Sequence, residues 1–207
     1  MKYLSKYILL FLTAYCFCSL ANAEESADAV LSRVAKAVKT ADGVSASFSL
    51  SSGGQNLSGT LKSSGSKFSL VTSSTSVWYD GKTMWTYNSK TNETTVTLPT
   101  SAELAEVNPL YIVNAYSNNF TAAYAKNQTK GNKTIVMTPK SKKLGYKSVH
   151  VTIPDRSSFP SQLVVIPSSG QKITVRIDKV STGVKLSSSA FEYPKSKYPK
   201  AEIVDLR

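Results

Sequence analysis

The strongest constraint on the fold of this chain is an alternation of polar and apolar residues that runs through three consecutive turns. In residues 44–74, VSASFSLSSGGQNLSGTLKSSGSKFSLVTSS, nearly every second residue is Ser, Thr or Lys, and the residues between them are apolar. Side chains alternate between the two faces of a strand, so this pattern predicts an antiparallel meander with one apolar face and one solvated, serine-rich face.

Two-residue turns at positions 53–54, 65–66 and 73–74 set the expected register of these strands. The Gly-Gly pair at the first turn is typical of a tight hairpin. All three turns keep the same apolar face. The expected opposing pairs are Ala46–Leu61, Phe48–Gly59, Leu50–Leu57, Leu61–Leu70, Ser63–Phe68, Leu70–Val77 and Phe68–Tyr79.

The stretch VWYDGKTMWTY, residues 77–87, contains both tryptophans of the chain and leaves its register open. A two-residue loop at Asp80-Gly81 sends Trp85 and Tyr87 to the serine-rich face. A three-residue loop with Gly81 in a left-handed bulge position turns both rings to the apolar face instead. We favour the three-residue loop, because it buries two large rings and leaves only one tryptophan outside.

Helical periodicity appears in two regions of the chain. Residues 26–42 have apolar side chains at helical spacing, with Ser26 as the cap, and predict one amphipathic helix. Thr100 and Glu103 form a capping box that begins a second segment. Pro109 restarts a third segment, because proline suits a first helical turn.

Further strand-like stretches occupy the rest of the sequence without a linker between them. With the first strands they give about eleven strands, which predicts an α+β, mostly β, single domain at residues 24–207. These stretches are 94–98, 120–127, 133–139, 146–153, 162–167, 171–180 and 190–193.

The N-terminus indicates export. Two lysines precede an apolar run at 8–20 that is followed by Ala-Asn-Ala, so residues 1–23 are predicted to be a secretory signal peptide cleaved after Ala23. A membrane-spanning anchor would need roughly 20 apolar residues. Both cysteines of the chain lie in this segment, so the predicted exported domain has no disulfide.

The predicted exported chain is basic. The whole sequence has 25 basic and 13 acidic residues, and removal of two signal lysines leaves 23 and 13, a net charge of +10. In an exported protein this favours an anionic membrane surface or an acidic partner over nucleic acid. Seven lysines crowd positions 126–147. Among them we expect Lys140, Lys142 and Lys143 to form a docking patch on one rim.

No pattern in the exported sequence points to catalysis. Its one histidine, His150, shares a strand face with Ser148 and Thr152, which is typical of a solvent-facing residue. No HExxH, GxSxG or phosphate-loop motif occurs. We therefore predict a protein that is not an enzyme and needs no metal or cofactor. The pattern alone leaves open whether the apolar face forms a compact core or a lipid cavity.

The order of these elements, the hairpin stretch DGKTMWTYNSKTNETTVT and the closing FEYPKSKYPKAEIVDLR together resemble the LolA-like family of outer-membrane lipoprotein carriers. The resemblance covers the exported chain and is closest to the Bacteroidetes-type branch. It implies an incomplete antiparallel β-barrel with helices as a lid. It also implies a soluble periplasmic chaperone that accepts lipoproteins from an inner-membrane ABC transporter and delivers their acyl chains to an outer-membrane acceptor.

The resemblance implies that the acyl chains bind on the apolar face of the sheet. The expected cavity residues are Phe48, Leu50, Leu57, Leu61, Phe68, Leu70, Val77, Tyr79, Trp85, Tyr87, Val96 and Leu98. The expected lid residues are Leu104, Val107, Leu110, Ile112 and Val113. We expect a monomer that contacts the anionic membrane surface transiently.

One stretch departs from the family pattern. Many carriers have an arginine-and-proline motif before the strand that leads to the DG hairpin, and its arginine holds the lid closed. The matching stretch here is SGSKFSLVTSS, with Lys67 and Phe68 and neither Arg nor Pro. Either the latch or the cargo therefore differs. Related folds also serve as periplasmic sensors that detect lipoproteins or lipids without carrying them, and such an envelope binding protein is the alternative function.

Overall fold

A computed structural model describes residues 25–114 and 116–207 of the chain. The predicted signal peptide and its cleavage site after Ala23 lie outside the described residues. None of the helices in the described part combines the length and the apolar character needed to cross a membrane.

Twelve strands of the described chain form one open sheet, and four α-helices accompany it. The strands β1 to β12, in chain order, are Val44–Ser52, Gln55–Ser64, Lys67–Thr72, Thr75–Tyr79, Met84–Asn88, Glu93–Thr97, Phe120–Tyr124, Asn132–Pro139, Tyr146–Pro154, Gln162–Pro167, Ile173–Thr182 and Glu202–Asp205. The helices α1 to α4 are Ala27–Thr40, Ser101–Val107, Pro109–Asn114 and Tyr116–Asn119. The strand order is β12-β6-β5-β4-β3-β2-β1-β11-β10-β9-β8-β7, which does not close into a barrel.

The predicted register of the first four strands is confirmed. Gly53 and Gly54 have φ values of 55° and 79°, in the left-handed region that a two-residue hairpin turn of this type requires. We call the face that these apolar residues share the inner face, and the opposite one the outer face. The observed opposing pairs are Ala46–Leu61, Phe48–Gly59, Leu50–Leu57, Leu61–Leu70, Ser63–Phe68, Leu70–Val77 and Phe68–Tyr79.

The loop between β4 and β5 is longer than predicted. Tyr79 lies opposite Met84, so the loop has four residues, 80–83, and not three. The Asp80 carboxylate stabilises it, because Oδ1 accepts hydrogen bonds from two backbone amides, that of residue 82 at 2.8 Å and that of Thr83 at 2.7 Å. With an even number of loop residues, Met84 shares the inner face with Tyr79, and Trp85 lies on the opposite face. An odd number would place Trp85 on the inner face instead.

The prediction that Trp85, Tyr87, Val96 and Leu98 face the apolar side was therefore wrong. Trp85 lies opposite Trp78 on one side and opposite Val96 on the other, and all three are on the outer face. Tyr87 follows two residues later on the same face. Leu98 comes after the end of β6 and is 52% exposed.

Helix α1 begins where the sequence predicts. The hydroxyl of Ser26 accepts a hydrogen bond from the backbone amide of Ala29 at 3.2 Å and caps the helix. Val30, Leu31 and Val34 have no exposed surface and belong to the hydrophobic core under the sheet. The helix contacts β7 and α3, so it covers the β7 side of the inner face.

The capping box of α2 is also confirmed. The amide of Glu103 donates to the Thr100 hydroxyl at 3.3 Å, and the Glu103 carboxylate accepts from the Thr100 amide at 2.7 Å. The backbone hydrogen bond from Thr100 lowers the pKa of Glu103. Asn108, which is buried, separates α2 from α3, and its side-chain oxygen accepts from the Leu110 amide at 3.1 Å. Helix α3 packs against both α1 and α2.

The end of the chain crosses the outer face, which the sequence did not predict. Residues 188–191 form a short 3-10 turn instead of the predicted strand 190–193, and this turn contacts β3 and β4. The connection from β11 runs across the sheet to its far edge, and strand β12 pairs there with β6 in the parallel direction. Ser69 and Ser76 are buried beneath this segment. The expected solvated serine face is therefore interrupted at β3 and β4.

Aromatic side chains hold this segment in place. The ring of Trp78 lies 5.6 Å from that of Tyr193 and 5.9 Å from that of Tyr198, both in edge-to-face geometry. Tyr87 lies 4.1 Å from Tyr198. Phe191 is 2% exposed. Aromatic pairs of this kind contribute beyond their buried area, so this cluster stabilises the outer face.

We expect Phe191→Ala to destabilise the protein by about 3–5 kcal/mol, because it removes a fully buried ring and leaves a cavity on the outer face. Urea unfolding followed by circular dichroism measures the change. Leu206→Ala, at a residue that is 64% exposed, is the control and should stay within about 0.5 kcal/mol of the wild type. Equal stability of the two variants would contradict the described packing.

Candidate functional site

An apolar cavity of about 390 Å³ lies between the inner face and the helices α2 and α3. Strands β1, β2, β3, β10 and β11 contribute to its wall on the sheet side, and the start of β9 closes part of one side. Its lining is almost entirely aliphatic and aromatic, with Thr72 as the one hydroxyl-bearing aliphatic side chain in it. Such a cavity suits an apolar ligand.

Five of the predicted cavity residues and three of the predicted lid residues line this cavity. The cavity residues are Phe48, Leu50, Leu57, Leu61 and Leu70. The lid residues are Val107 on α2 and Leu110 and Ile112 on α3. The sheet and the short helices therefore bring these two predicted groups together.

Three other predicted cavity residues lie on the inner face but outside the cavity lining. Phe68 and Tyr79 have ring centroids 5.5 Å apart, and Val77 is buried between β3 and β5. The Tyr79 hydroxyl donates to the Gly81 carbonyl at 2.9 Å, and burial raises its pKa. These side chains fill the end of the inner face near the loop 80–83.

Leu104 and Val113, the remaining predicted lid residues, are buried in the core and do not line the cavity. Leu104 on α2 and Val113 on α3 pack into the hydrophobic core. Packing of part of each helix into the core fixes the short helices over the sheet, while the other part faces the cavity.

The half of the cavity that comes from β9, β10, β11 and the turn before β9 was not predicted from the sequence. This half contains Leu144, Tyr146, Leu163, Val165, Ile173, Val175 and Ile177, with Ala46 and Ala105 between the two halves. The alternation ITVRID in β11 carries the same signal as β1. The sequence does not show that β11 pairs with β1, because the two strands are more than 100 residues apart in the chain.

The ring of Phe48 lies over Gly59 on the neighbouring strand. A Cβ atom at position 59 would lie 2.7 Å from Phe48 Cζ and 2.6 Å from the Val71 carbonyl oxygen. Only glycine fits this position without movement. The absence of a side chain at position 59 therefore lets the ring lie flat along the cavity wall.

The predicted docking lysines divide into two groups. Lys142 and Lys143 are exposed on a 3-10 turn whose third residue, Leu144, lines the cavity. The Lys140 ammonium instead donates to the Ser117 carbonyl oxygen at 2.7 Å and connects β8 with α4.

No metal site is evident in the described residues. No three His, Cys, Asp or Glu side chains there lie close enough to hold a metal ion. His150 is half-buried, and its Nε2 lies 3.1 Å from the Ser148 hydroxyl on the same strand. This contact accounts for the position of the imidazole.

Fold and site together define a mostly β protein built around an apolar cavity under short helices. The sequence profile of the family described as outer membrane lipoprotein carrier protein LolA matches residues 17–169. The chain belongs to this family, and the predicted resemblance is confirmed. The matched range ends before β11 and the C-terminal segment.

The solved structures to which this one is similar are distant in sequence. An uncharacterized conserved protein from Thermus thermophilus has a TM-score of 0.59 and 13% identity, over 86% of this chain and 98% of that one. MucB has a TM-score of 0.50 and 12% identity, over 81% of this chain and 62% of its own length. A putative outer membrane lipoprotein-sorting protein domain from Vibrio parahaemolyticus has a TM-score of 0.48 and 11% identity, over 86% and 100%. No curated protein sequence is significantly similar to this chain.

We expect Gly59→Ala to destabilise the protein by about 1–3 kcal/mol, the usual cost of overpacking, and to push the Phe48 ring into the cavity. Urea unfolding and the affinity for a fluorescent fatty acyl probe measure the two effects. Ser58→Ala, at the exposed neighbouring residue, should change neither quantity. If Gly59→Ala is as stable as the wild type, the Phe48 ring and the Val71 carbonyl do not approach position 59 as closely as described.

Because both tryptophans are on the outer face, filling the cavity should leave their fluorescence nearly unchanged. The test uses a Trp78→Phe variant, in which Trp85 is the remaining tryptophan, with and without a saturating fatty acyl ligand. Adding Leu57→Trp to this variant provides a reporter in the cavity wall, and its emission should shift to shorter wavelength. An equal shift from Trp85 alone would contradict the register of β4 and β5.

Proposed function

We propose that this protein is a soluble periplasmic chaperone that binds lipoprotein acyl chains in the apolar cavity and carries them from the inner to the outer membrane. The cavity under α2 and α3 is the observation that supports this most strongly, and membership of the carrier family supports the direction of transfer. An inner-membrane ABC transporter would supply the cargo, and an outer-membrane acceptor would receive it. The chain would act as a monomer without a cofactor, catalyse no reaction and bind no nucleic acid.

The energetics of an acyl chain fit a binding protein that does no chemistry. Burial of each methylene contributes about 0.8 kcal/mol. Exposing a chain of roughly 14 carbons to water therefore costs on the order of 10 kcal/mol of free energy. An apolar cavity offsets most of this free energy. Release then requires only an acceptor in which the chain is buried at least as well, such as a bilayer.

The size of the cavity implies that the helices move when cargo binds. A volume of about 390 Å³ is equivalent to about a dozen water-sized groups, which is comparable to one acyl chain. A lipid anchor with more than one chain therefore needs α2 and α3 to move outward. Their cavity-facing residues are Ala105, Val107, Leu110 and Ile112, and non-directional apolar contacts permit such movement.

The stretch that matches the latch position of the family carries a lysine in this chain. Lys67, which stands near the expected arginine position, begins β3, and its Cγ lies 3.9 Å from the place of a Cβ on Gly81. It therefore lies beside the loop 80–83. We propose that apolar contacts close the lid of this protein.

The proposal is tested by extraction of the exported protein, purified from cells, with organic solvent followed by mass spectrometry. We expect bound lipid or copurifying lipoprotein, and depletion of the protein should leave lipoproteins in the inner membrane. If no lipid or lipoprotein copurifies and no fluorescent fatty acyl probe binds, the carrier proposal fails.

Filling the cavity should abolish binding without unfolding the protein. Ala105→Trp introduces an indole from α2 into the cavity, and we expect at least a tenfold weaker affinity for a fatty acyl probe with stability unchanged or raised. Ala102→Trp, at an exposed position on the same helix, is the matched control and should bind as the wild type does. Wild-type affinity of Ala105→Trp would show that the chains bind elsewhere.

A non-carrying sensor of lipoproteins or lipids is the second candidate, and the edge strand β12 favours it. Ile203 on β12 and Leu206 just after it are 45% and 64% exposed, and Leu98 just after the neighbouring strand β6 is 52% exposed. Exposed apolar side chains on an edge strand suit a protein partner. A sensor would have a stable partner whose affinity changes with lipid, and its depletion would not retain lipoproteins in the inner membrane.

A further inference from the structure

The cavity extends to one end of the sheet, where several turns lie together. Leu144 and Gly145 before β9 and Pro167 at the end of β10 line the cavity there. The amide of Ser168 donates to the Gly145 carbonyl at 2.8 Å and joins the two turns. We call this end the mouth. It is formed by segments 50–57, 70–76, 140–147 and 165–173.

The charge at the mouth has one sign. The four segments contain five lysines and no Asp or Glu. Lys142 and Lys143 are exposed next to the cavity wall, and the Lys147 ammonium lies 3.8 Å from the place of a Cβ on Gly170 in the facing turn. The acidic residues that begin β6 and β12 are separated from β2 by strands β3, β4 and β5.

Lys140 differs from the other lysines of the mouth in its position. Its ammonium keeps its charge, but its hydrogen bond to the Ser117 carbonyl holds it beside α4. The relevant pair is therefore Lys142 and Lys143, which a 3-10 turn capped by the Ser141 hydroxyl presents at the mouth. The Ser141 cap and the left-handed Gly145, with φ of 73°, hold this turn in place.

A ligand whose acyl chain fills the cavity leaves its polar end at the mouth. If the proposed function is correct, that end is the start of a lipoprotein polypeptide. An extended chain advances about 3.3 Å per residue, so the first four residues after the lipidated one span about 13 Å. We infer that the mouth selects lipoproteins that have Asp or Glu among the first few residues after the lipidated residue, through Lys142 and Lys143.

The expected preference is modest, because these ion pairs are exposed to water. Two lysines that face two carboxylates should favour an acidic cargo by about five- to tenfold. Salt should reduce this preference, since the Debye length falls from about 10 Å at 0.1 M to about 3 Å at 1 M. The affinity contributed by the acyl chain should remain.

The test compares two synthetic lipopeptides with the same acylated cysteine, followed by Ser-Asp-Asp-Ser in one and Ser-Asn-Asn-Ser in the other. Displacement of a fluorescent acyl probe gives both affinities at low and high salt. The wild type should prefer the Asp lipopeptide five- to tenfold at low salt. Lys142→Gln with Lys143→Gln should remove the preference and leave the affinity for the Asn lipopeptide unchanged.

The matched control is Lys126→Gln with Lys130→Gln. It removes the same charge from exposed residues in the turn between β7 and β8, at the other end of the sheet, and should keep the wild-type preference. Loss of the preference in this control would assign it to net charge and would overturn the inference.

Other outcomes separate this inference from the proposed function. Equal affinity of the wild type for both lipopeptides overturns the inference and leaves the carrier function standing, whereas binding of neither overturns the carrier function itself. A non-lipidated Asp peptide that binds as tightly as the lipopeptide would make the mouth an independent peptide site, and the inference would be wrong. If the Lys142/Lys143 variant loses binding only to vesicles of phosphatidylglycerol and phosphatidylcholine, the lysines dock to membranes, and the inference is wrong.

Discussion

The apolar inner face of one wide sheet must be covered, and the chain has little helix with which to cover it. Twelve strands at about 4.8 Å spacing make a sheet on the order of 50 Å across. Helix α1, with 14 residues, is only about 21 Å long, and α2 and α3, with seven and six residues, are each about 10 Å long. The short helices bridge the space beside α1 but do not fill it. The cavity is the volume that this shortage of helix leaves.

The filling of the inner face near β5 depends on the number of residues in the loop 80–83. Had Trp85 and Tyr87 faced inward, two rings that bury about 150–250 Å² each would have occupied the inner face. The Asp80 carboxylate instead holds a four-residue turn, and the rings face outward. There the C-terminal segment supplies Tyr198 as a partner for Tyr87. A single polar side chain thus helps to decide on which face of the sheet the aromatic rings of β5 lie.

The limits of the sequence prediction follow from what fixes each contact. Two-residue turns specify the register locally, so the pairs from Ala46–Leu61 to Phe68–Tyr79 were predictable. The loop at Asp80 was not, because two, three and four residues are each compatible with Asp-Gly. The aromatic burial that favoured three residues is met only in part, since Tyr87 packs on Tyr198 while Trp85 stays partly exposed. The pairing of β11 with β1 and the path of the C-terminal segment are long-range contacts without a local signal. For this reason the β1–β3 half of the cavity was predicted and the β9–β11 half was not.

A protein that fills and empties a cavity needs stability that does not come from that cavity. Domains are stable by only about 5–15 kcal/mol, and one acyl chain represents on the order of 10 kcal/mol of burial. If the cavity walls had to be packed for the fold to persist, release of the ligand would unfold the protein. Here most of the fully buried side chains lie elsewhere, in α1 with Val30 and Leu31, in β8 and β9 with Ile135 and Val149, and on the outer face with Phe191, while Leu163 is a fully buried residue of the cavity wall. These regions can hold the sheet while the volume under α2 and α3 stays underpacked, and this separation allows binding and release without loss of the fold.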